Sequence, residues 1–386
     1  MAGIGSREGA SPVIRNNRCY KNEMAGIGSR LGARPVIVDN QCYENKMAGI
    51  GTREGSTPII CRNRSYKNEM AGIGSRDGGR PIIVQNKSRE NKMAGIGVRT
   101  DSKAIIIGNQ CIENRLVAIG VPDGATAFIH GNELIRTGGG APPLVALRGG
   151  AKAVVSDNLI RGGGVAGILV QGTAHILGNR FEGRGPEKQG SAIWVPFGGA
   201  FKFKSTIVVA TNECVGYRNL LNAANCDATV VGNKVRNFRG AAIIVRKTTA
   251  PARVLGNRAF SDQEKDAVVS LEGGKNLSHE NKLEAAKKFK SVGPSLWTVS
   301  KKAAETEVPE HLQKIHGPAT VTDGPWKLVV TRDRKTAYKL LNSELDSTKK
   351  KDFSKLAPHL AFRLRGLRER LEAEAFQKSL KGANRR

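Results

Sequence analysis

The side chains best suited to meet a ligand crowd into one stretch, RFEGRGPEKQGSAIWVPFGGAFKFKS, which holds Arg184, Lys188, Trp194, Phe197, Phe201, Lys202, Phe203 and Lys204. Aromatic rings stack on sugars or bases, while Lys and Arg meet carboxylates, sulfates or phosphates. The expected ligand-binding set is therefore Arg184, Lys188, Trp194, Phe197, Lys202 and Lys204. Groups for acid–base work are sparser. His130 and His175 lie on strand-like segments and could exchange protons if they face outward. Asp39 and Asp157 share a phase but stand far apart in sequence, and are expected to be solvated turn residues. Glu54 and Asp77 have Arg53 and Arg76 beside them, the composition of a charge-balanced surface turn. No catalytic residue can be assigned from these groups.

Sulfur is the other soft chemistry in the chain. Cys19, Cys42, Cys111 and Cys214 share one phase, where other copies place Leu134, Ile160, Phe181 and Val235. Apolar substitutes point to an interior position, so free thiols in the core and a reducing compartment are expected. With no Cys-x-x-Cys pair and 6 His, no metal centre and no cofactor are expected. Met1, Met24, Met47, Met70 and Met93 form a second column. Stacked thioethers could hold Cu(I), but Leu116 and Val165 replace them later, and the expectation is again core packing. Tyr20, Tyr43 and Tyr66 form a third column, expected to stack as an aromatic ladder.

These columns exist because the chain repeats. Five blocks beginning at Met1, Met24, Met47, Met70 and Met93 align without gaps at a period of 23. Periods of this size mark solenoids. One Asn column outlasts the near-identical copies and runs Asn17, Asn40, Asn63, Asn86, Asn109, Asn132, Asn158, Asn179, Asn212, Asn233, Asn257. A β-branched residue stands three places before each, and Ile27 and its equivalents stand ten places after many of them. Each coil thus carries at least two short strands, with Gly26, Gly28 and their equivalents at bends. In a parallel solenoid equivalent residues lie about 4.8 Å apart, so like stacks on like. Buried Asn can then donate from coil to coil and satisfy the corner, and its tolerance of the left-handed conformation suits that corner.

The Asn-centred segments PVIRNNRCYKN, AIIIGNQCIEN, AVVSDNLIRGG and ATVVGNKVRNF resemble the repeats of the right-handed parallel β-helix, or pectin-lyase-like, superfamily. The resemblance spans about residues 1–275 and implies an all-β solenoid of about 11 coils. It also implies a range of activities, polysaccharide lyases, hydrolases and epimerases among them. Lyases of that kind hold Ca²⁺ with Asp or Glu and use Arg or Lys as base; the scattered acids here do not reproduce that pattern.

Residues 276–386 are expected to form a basic, mainly helical cap or extension. Ser278–Lys290 reads as a capped helix, and Leu360, Leu364, Leu367 and Leu371 mark a helix over His359–Leu380. No run of about 18 apolar residues occurs, so no transmembrane segment is expected. No signal peptide is visible, which reads as cytoplasmic as written, or extracytoplasmic if the true start lies upstream. A net charge of +28, spread over the repeats and the C-terminal part, favours polyanions. The functional expectation is a non-catalytic scaffold for an extended polyanion, most simply an acidic polysaccharide. The alternatives are a polysaccharide lyase or epimerase, with His130, His175 or Arg184 participating, and a protein-interaction scaffold with a protein partner.

Overall fold

The computed structural model describes residues 1–138, 140–196, 204–246, 251–274, 276–290, 296–300 and 327–331. Within them the chain winds into twelve parallel coils, most with three short strands, so that three flat faces run along the solenoid. The first face opens with Ile4–Ser6, Ile27–Ser29, Ile50–Thr52 and Ile73–Ser75, and the second with Val13–Arg15, Val36–Val38 and Ile59–Cys61. The third opens with Arg18–Tyr20 and Gln41–Tyr43 and is a separate sheet of twelve strands. Two long strands, Val145–Ser156 and Ala166–Leu177, pass from the first face into the second and join those two into one sheet.

Pairing is parallel and in register, Ile27 against Ile50 and Cys19 against Cys42, so each sequence column becomes a physical ladder. Ile27, Ile50, Ile73, Ile96 and Ile119 fill the core from the first face, and Ile37, Ile60, Ile83, Ile106 and Ile129 from the second. The cysteine column closes the third side: all six cysteines are buried and none is in a disulfide. Tyr20, Tyr43 and Tyr66 stack as expected, with ring centroids 5.1 and 4.9 Å apart.

The Asn ladder is continuous and has a direction. Asn63 donates its side-chain amide to Asn86 Oδ1 at 3.0 Å and its backbone N–H to the same oxygen at 2.9 Å. The amide also reaches Ile37 O in the preceding coil at 2.9 Å. The ladder thereby pairs the corner amides and carbonyls that burial would otherwise strand, such as Asn63 N–H, Ile37 O and Cys61 O. The left-handed residue is not the ladder Asn but the one before it: Asn16, Asp39, Arg62 and Gln85 have φ of 56–60°, and Gly108 and Gly131 follow suit.

A second ladder, absent from the sequence reading, runs Asn22, Asn45, Asn68, Asn91, Asn114 at the corner between the third and first faces. In the next coil the buried Arg136 takes over, donating to Leu116 O at 3.0 Å and Arg115 O at 3.3 Å.

Two expectations at the C-terminal end change. The solenoid has twelve coils rather than about 11, because the ladder continues from Asn257 to Asn281. Ser278–Lys290 is not a helix: Leu277–His279 and Lys282–Glu284 are strands of the last coil, followed by one 3₁₀ turn at Ala286–Lys288. Asn281 stands 24 residues after Asn257, and ladder pairing overrides local helix preference there. Leu296–Ser300 and Lys327–Thr331 pair antiparallel. The helix expected over His359–Leu380 lies outside the described residues. Among the described residues, no helix is long and apolar enough to cross a membrane.

Candidate binding groove

The outer surface of the first face carries a groove of about 1150 Å³ along the first six coils. Its floor is two columns of small residues, Gly28, Gly51, Gly74 and Gly97 beside Ala25, Ala48, Ala71 and Ala94. Glycine has a different reason in each of two columns. A Cβ on Gly26 would lie 2.8 Å from Gly49 O, so the fold itself excludes a side chain there. A Cβ on Gly51 would sit at ordinary contact, 3.5 Å from Ala25 Cβ. Nothing in the backbone requires glycine in the Gly28 column, and its effect is to keep the floor flat.

One wall is the methionine column, Met1, Met24, Met47, Met70 and Met93, continued by Leu116. This overturns the expected core packing: Met1, Met24 and Leu116 are 94%, 41% and 44% exposed, Val165 is 43% exposed, and Met47, Met70 and Met93 are half-buried. The apolar replacements mark an exposed apolar ridge at the corner before the first face, not an interior column.

The opposite wall is Arg7, Arg30, Arg53, Arg76 and Arg99, with Arg148 beyond them. They sit where the first face bends into the second through a turn such as Glu54–Gly55, with φ of 54° and 70°. The turn acids pair with them as expected: Arg53 with Glu54 at 3.2 Å and Arg76 with Asp77 at 3.4 Å. Arg30 has Leu31 in the acid's place. Exposed pairs of this kind contribute at most ~1 kcal/mol each, so an arriving anion can displace them.

Beyond the sixth coil the glycine column continues through Ala146, Leu169 and Trp194. Trp194 thus lies on the same face and in the same column as the floor, half-buried on Ser191–Val195. Arg184 and Lys188 are exposed in the turn before that strand, with Arg184 donating to Gln189 Oε1 at 3.2 Å. Lys204 lies beyond its other end and pairs with Asp227 at 3.2 Å. Phe197 and Lys202, with Phe201 and Phe203, lie outside the described residues.

The candidate acid–base groups do not converge on this surface. His130 lies in the outer row of the second face yet is buried, with Nδ1 2.8 Å from Ser156 Oγ and 3.5 Å from Asp157. Asp157 is correspondingly buried rather than solvated. His175 is exposed on the second face. Asp39 is held by Arg62 at 2.8 and 3.0 Å, and that hydrogen bonding lowers its carboxyl below the ordinary range against the opposing effect of burial. Burial would raise Glu182, but bonds from Arg161 and Arg180 outweigh it and the net shift is downward. Both carboxyls are therefore anions locked in ion pairs, not proton donors. Among the described residues, no three His, Cys, Asp or Glu side chains gather as a metal site.

Sequence reading missed the arginine ridge as a site, although its signal was present: Ser/Thr–Arg recurs in the same phase from Ser6–Arg7 to Ser75–Arg76. It was absorbed into the charge-balanced turns.

A family model described as right handed beta helix region matches residues 1–110 and 71–208. No curated protein matches the chain.

Proposed function

The chain belongs to the right-handed β-helix family, and on that premise we propose that it is a non-catalytic scaffold that binds an extended acidic polysaccharide along the groove of its first face. The observation that carries this reading is the arginine ridge in register with a flat apolar floor. Arginine recurs once per coil over the first five coils, on backbones about 4.8 Å apart, a step similar to the length of one pyranose unit in an extended chain. A polyuronate can lay its sugar rings on the Ala/Gly floor and turn the carboxylates of one edge toward the ridge. Arg forks match carboxylates in geometry as well as charge. The groove floor offers no aromatic platform of the kind that single-stranded nucleic acid uses.

Trp194, Arg184, Lys188 and Lys204 extend the same track for a longer chain, with Trp194 as a sugar-stacking ring. The lyase or epimerase alternative has less support: the carboxyls with shifted pKa are held down rather than raised, and the two histidines stand on another face.

The test is incubation of the full chain with a panel of polyuronates, sulfated glycans and neutral glycans, following retention, chain length and new unsaturated or epimerised units. The proposal predicts retention of polyuronates that falls steeply with salt, with every glycan recovered unchanged. Retention of none of them at low salt overturns it, and modified products replace the scaffold with an enzyme.

A further inference from the structure

The second face is apolar on its outside as well as on its inside. Each early strand sends its middle residue, Ile37, Ile60 or Ile83, into the core. The flanking residues point outward: Val36 and Val38, Ile59 and Cys61, Ile82 and Val84. In register they form two ladders, one of them continued by Ile105 and Phe128, and they cluster apart from the core. Outward as they are, these six are only 1–6% exposed, and Ile105 and Phe128 are 3% and 7% exposed. Stacking within a ladder shields the flanks of a side chain and leaves its tip open. Val13, which begins one ladder, is 39% exposed, and Val154, Val208 and Val231 further along are half-buried. The deepest shielding therefore lies over the second to sixth coils, with Ile107 half-buried at its margin. Among the described residues, these strands pack chiefly on the coils directly above and below them.

The chain holds a segment suited to cover this surface. Leu360, Leu364, Leu367 and Leu371, which lie outside the described residues, have the spacing of one helix face. Pro358 stands just before them, where a helix start tolerates proline. At about 1.5 Å per residue, such leucines recur roughly every 5.5 Å along a helix, close to the coil step of about 4.8 Å. A helix laid along the solenoid axis would thus seat one leucine on each successive coil. Reach is ample: the chain between Lys290, just after the last coil, and His359 can extend well beyond the ~30 Å that separates the last coil from the sixth.

We propose that residues 359–380 dock as an amphipathic helix on the outer second face, along the second to sixth coils. This surface is separate from the groove, and the proposal does not depend on glycan binding.

Cys61 reports on the cover. It belongs to an outward ladder, with Arg62 reaching its sulfur from one side at 3.8 Å, while the other five cysteines belong to the core. The test is alkylation of the full chain with iodoacetamide under native conditions, each thiol being followed by mass spectrometry. All six are expected to resist in the parent. In L364D/L367D, Cys61 is expected to react at least ~10-fold faster, because the opening that exposes it becomes easier, while the core thiols stay closed. If the core thiols of L364D/L367D also react, that variant is unfolded, and L364S/L367S takes its place under the same criteria. Reaction of Cys61 in the native parent as fast as in urea overturns the proposal, because the face is then open. So does a Cys61 rate unchanged by the leucine substitutions while the core thiols stay closed, because the cover is then not this segment.

Discussion

Asn63 shows how much one side chain carries in this fold. Its Oδ1 accepts from Asn40 twice, and its amide donates to Ile37 O, Cys61 O and Asn86 Oδ1. Replacing it with leucine keeps the volume but strands buried donors and acceptors on both sides. Each stranded group costs about 1–3 kcal/mol, so Asn63→Leu is expected to destabilise the solenoid by ~3 kcal/mol or more, read from urea denaturation. Arg18→Ala, on the exposed third face, is expected to stay within about 0.5 kcal/mol. Legibility at this scale was mixed. The first Asn ladder was plain because the column persists after the flanking residues diverge. The left-handed corner residue was not, because Asn, Asp, Arg, Gln and Gly share it and no single type marks the phase.

On the first face, one strand after another presents the same outward glycine, and this is where the groove is made. The Gly28 column looked like a set of bends in the sequence, in company with Gly26. Only the outward direction of the missing Cβ separates a glycine demanded by packing from one that leaves room for a ligand. Trp194 occupies this column naturally, so Gly51→Trp is expected to fold with a melting temperature close to that of the parent while blocking the floor. Polyuronate affinity should fall at least ~10-fold, equivalent to about 1.4 kcal/mol. Unchanged affinity by calorimetry would move the ligand off this face. The methionine ridge was misread for a related reason: hydrophobic replacements signal an apolar neighbourhood, and an exposed ridge beside an apolar floor supplies one as well as a core does.

For the whole molecule, the period dictates nearly everything. Parallel register turns each column into a ladder, so fold, Asn ladder, cysteine core and tyrosine stack follow from the alignment of five blocks. The functional surface is less legible, because the aromatic insertion around Trp194, where the period breaks, carries the louder ligand signal in the sequence. The groove instead lies on the most regular coils, and Trp194 stands further along the same face. The overall charge of +28 attracts polyanions from a distance without selecting a place, so retention alone cannot separate specific seating from general attraction. The decisive measurement is calorimetric binding of an oligouronate to R30A/R53A/R76A beside R18A/R64A/K87A, which removes the same charge from the third face. The groove variant is predicted to lose about 100-fold in affinity, at roughly 1 kcal/mol per arginine, and to show a shallower salt dependence, while the third-face variant changes little. Equal losses in both would contradict the groove, because binding would then follow total charge.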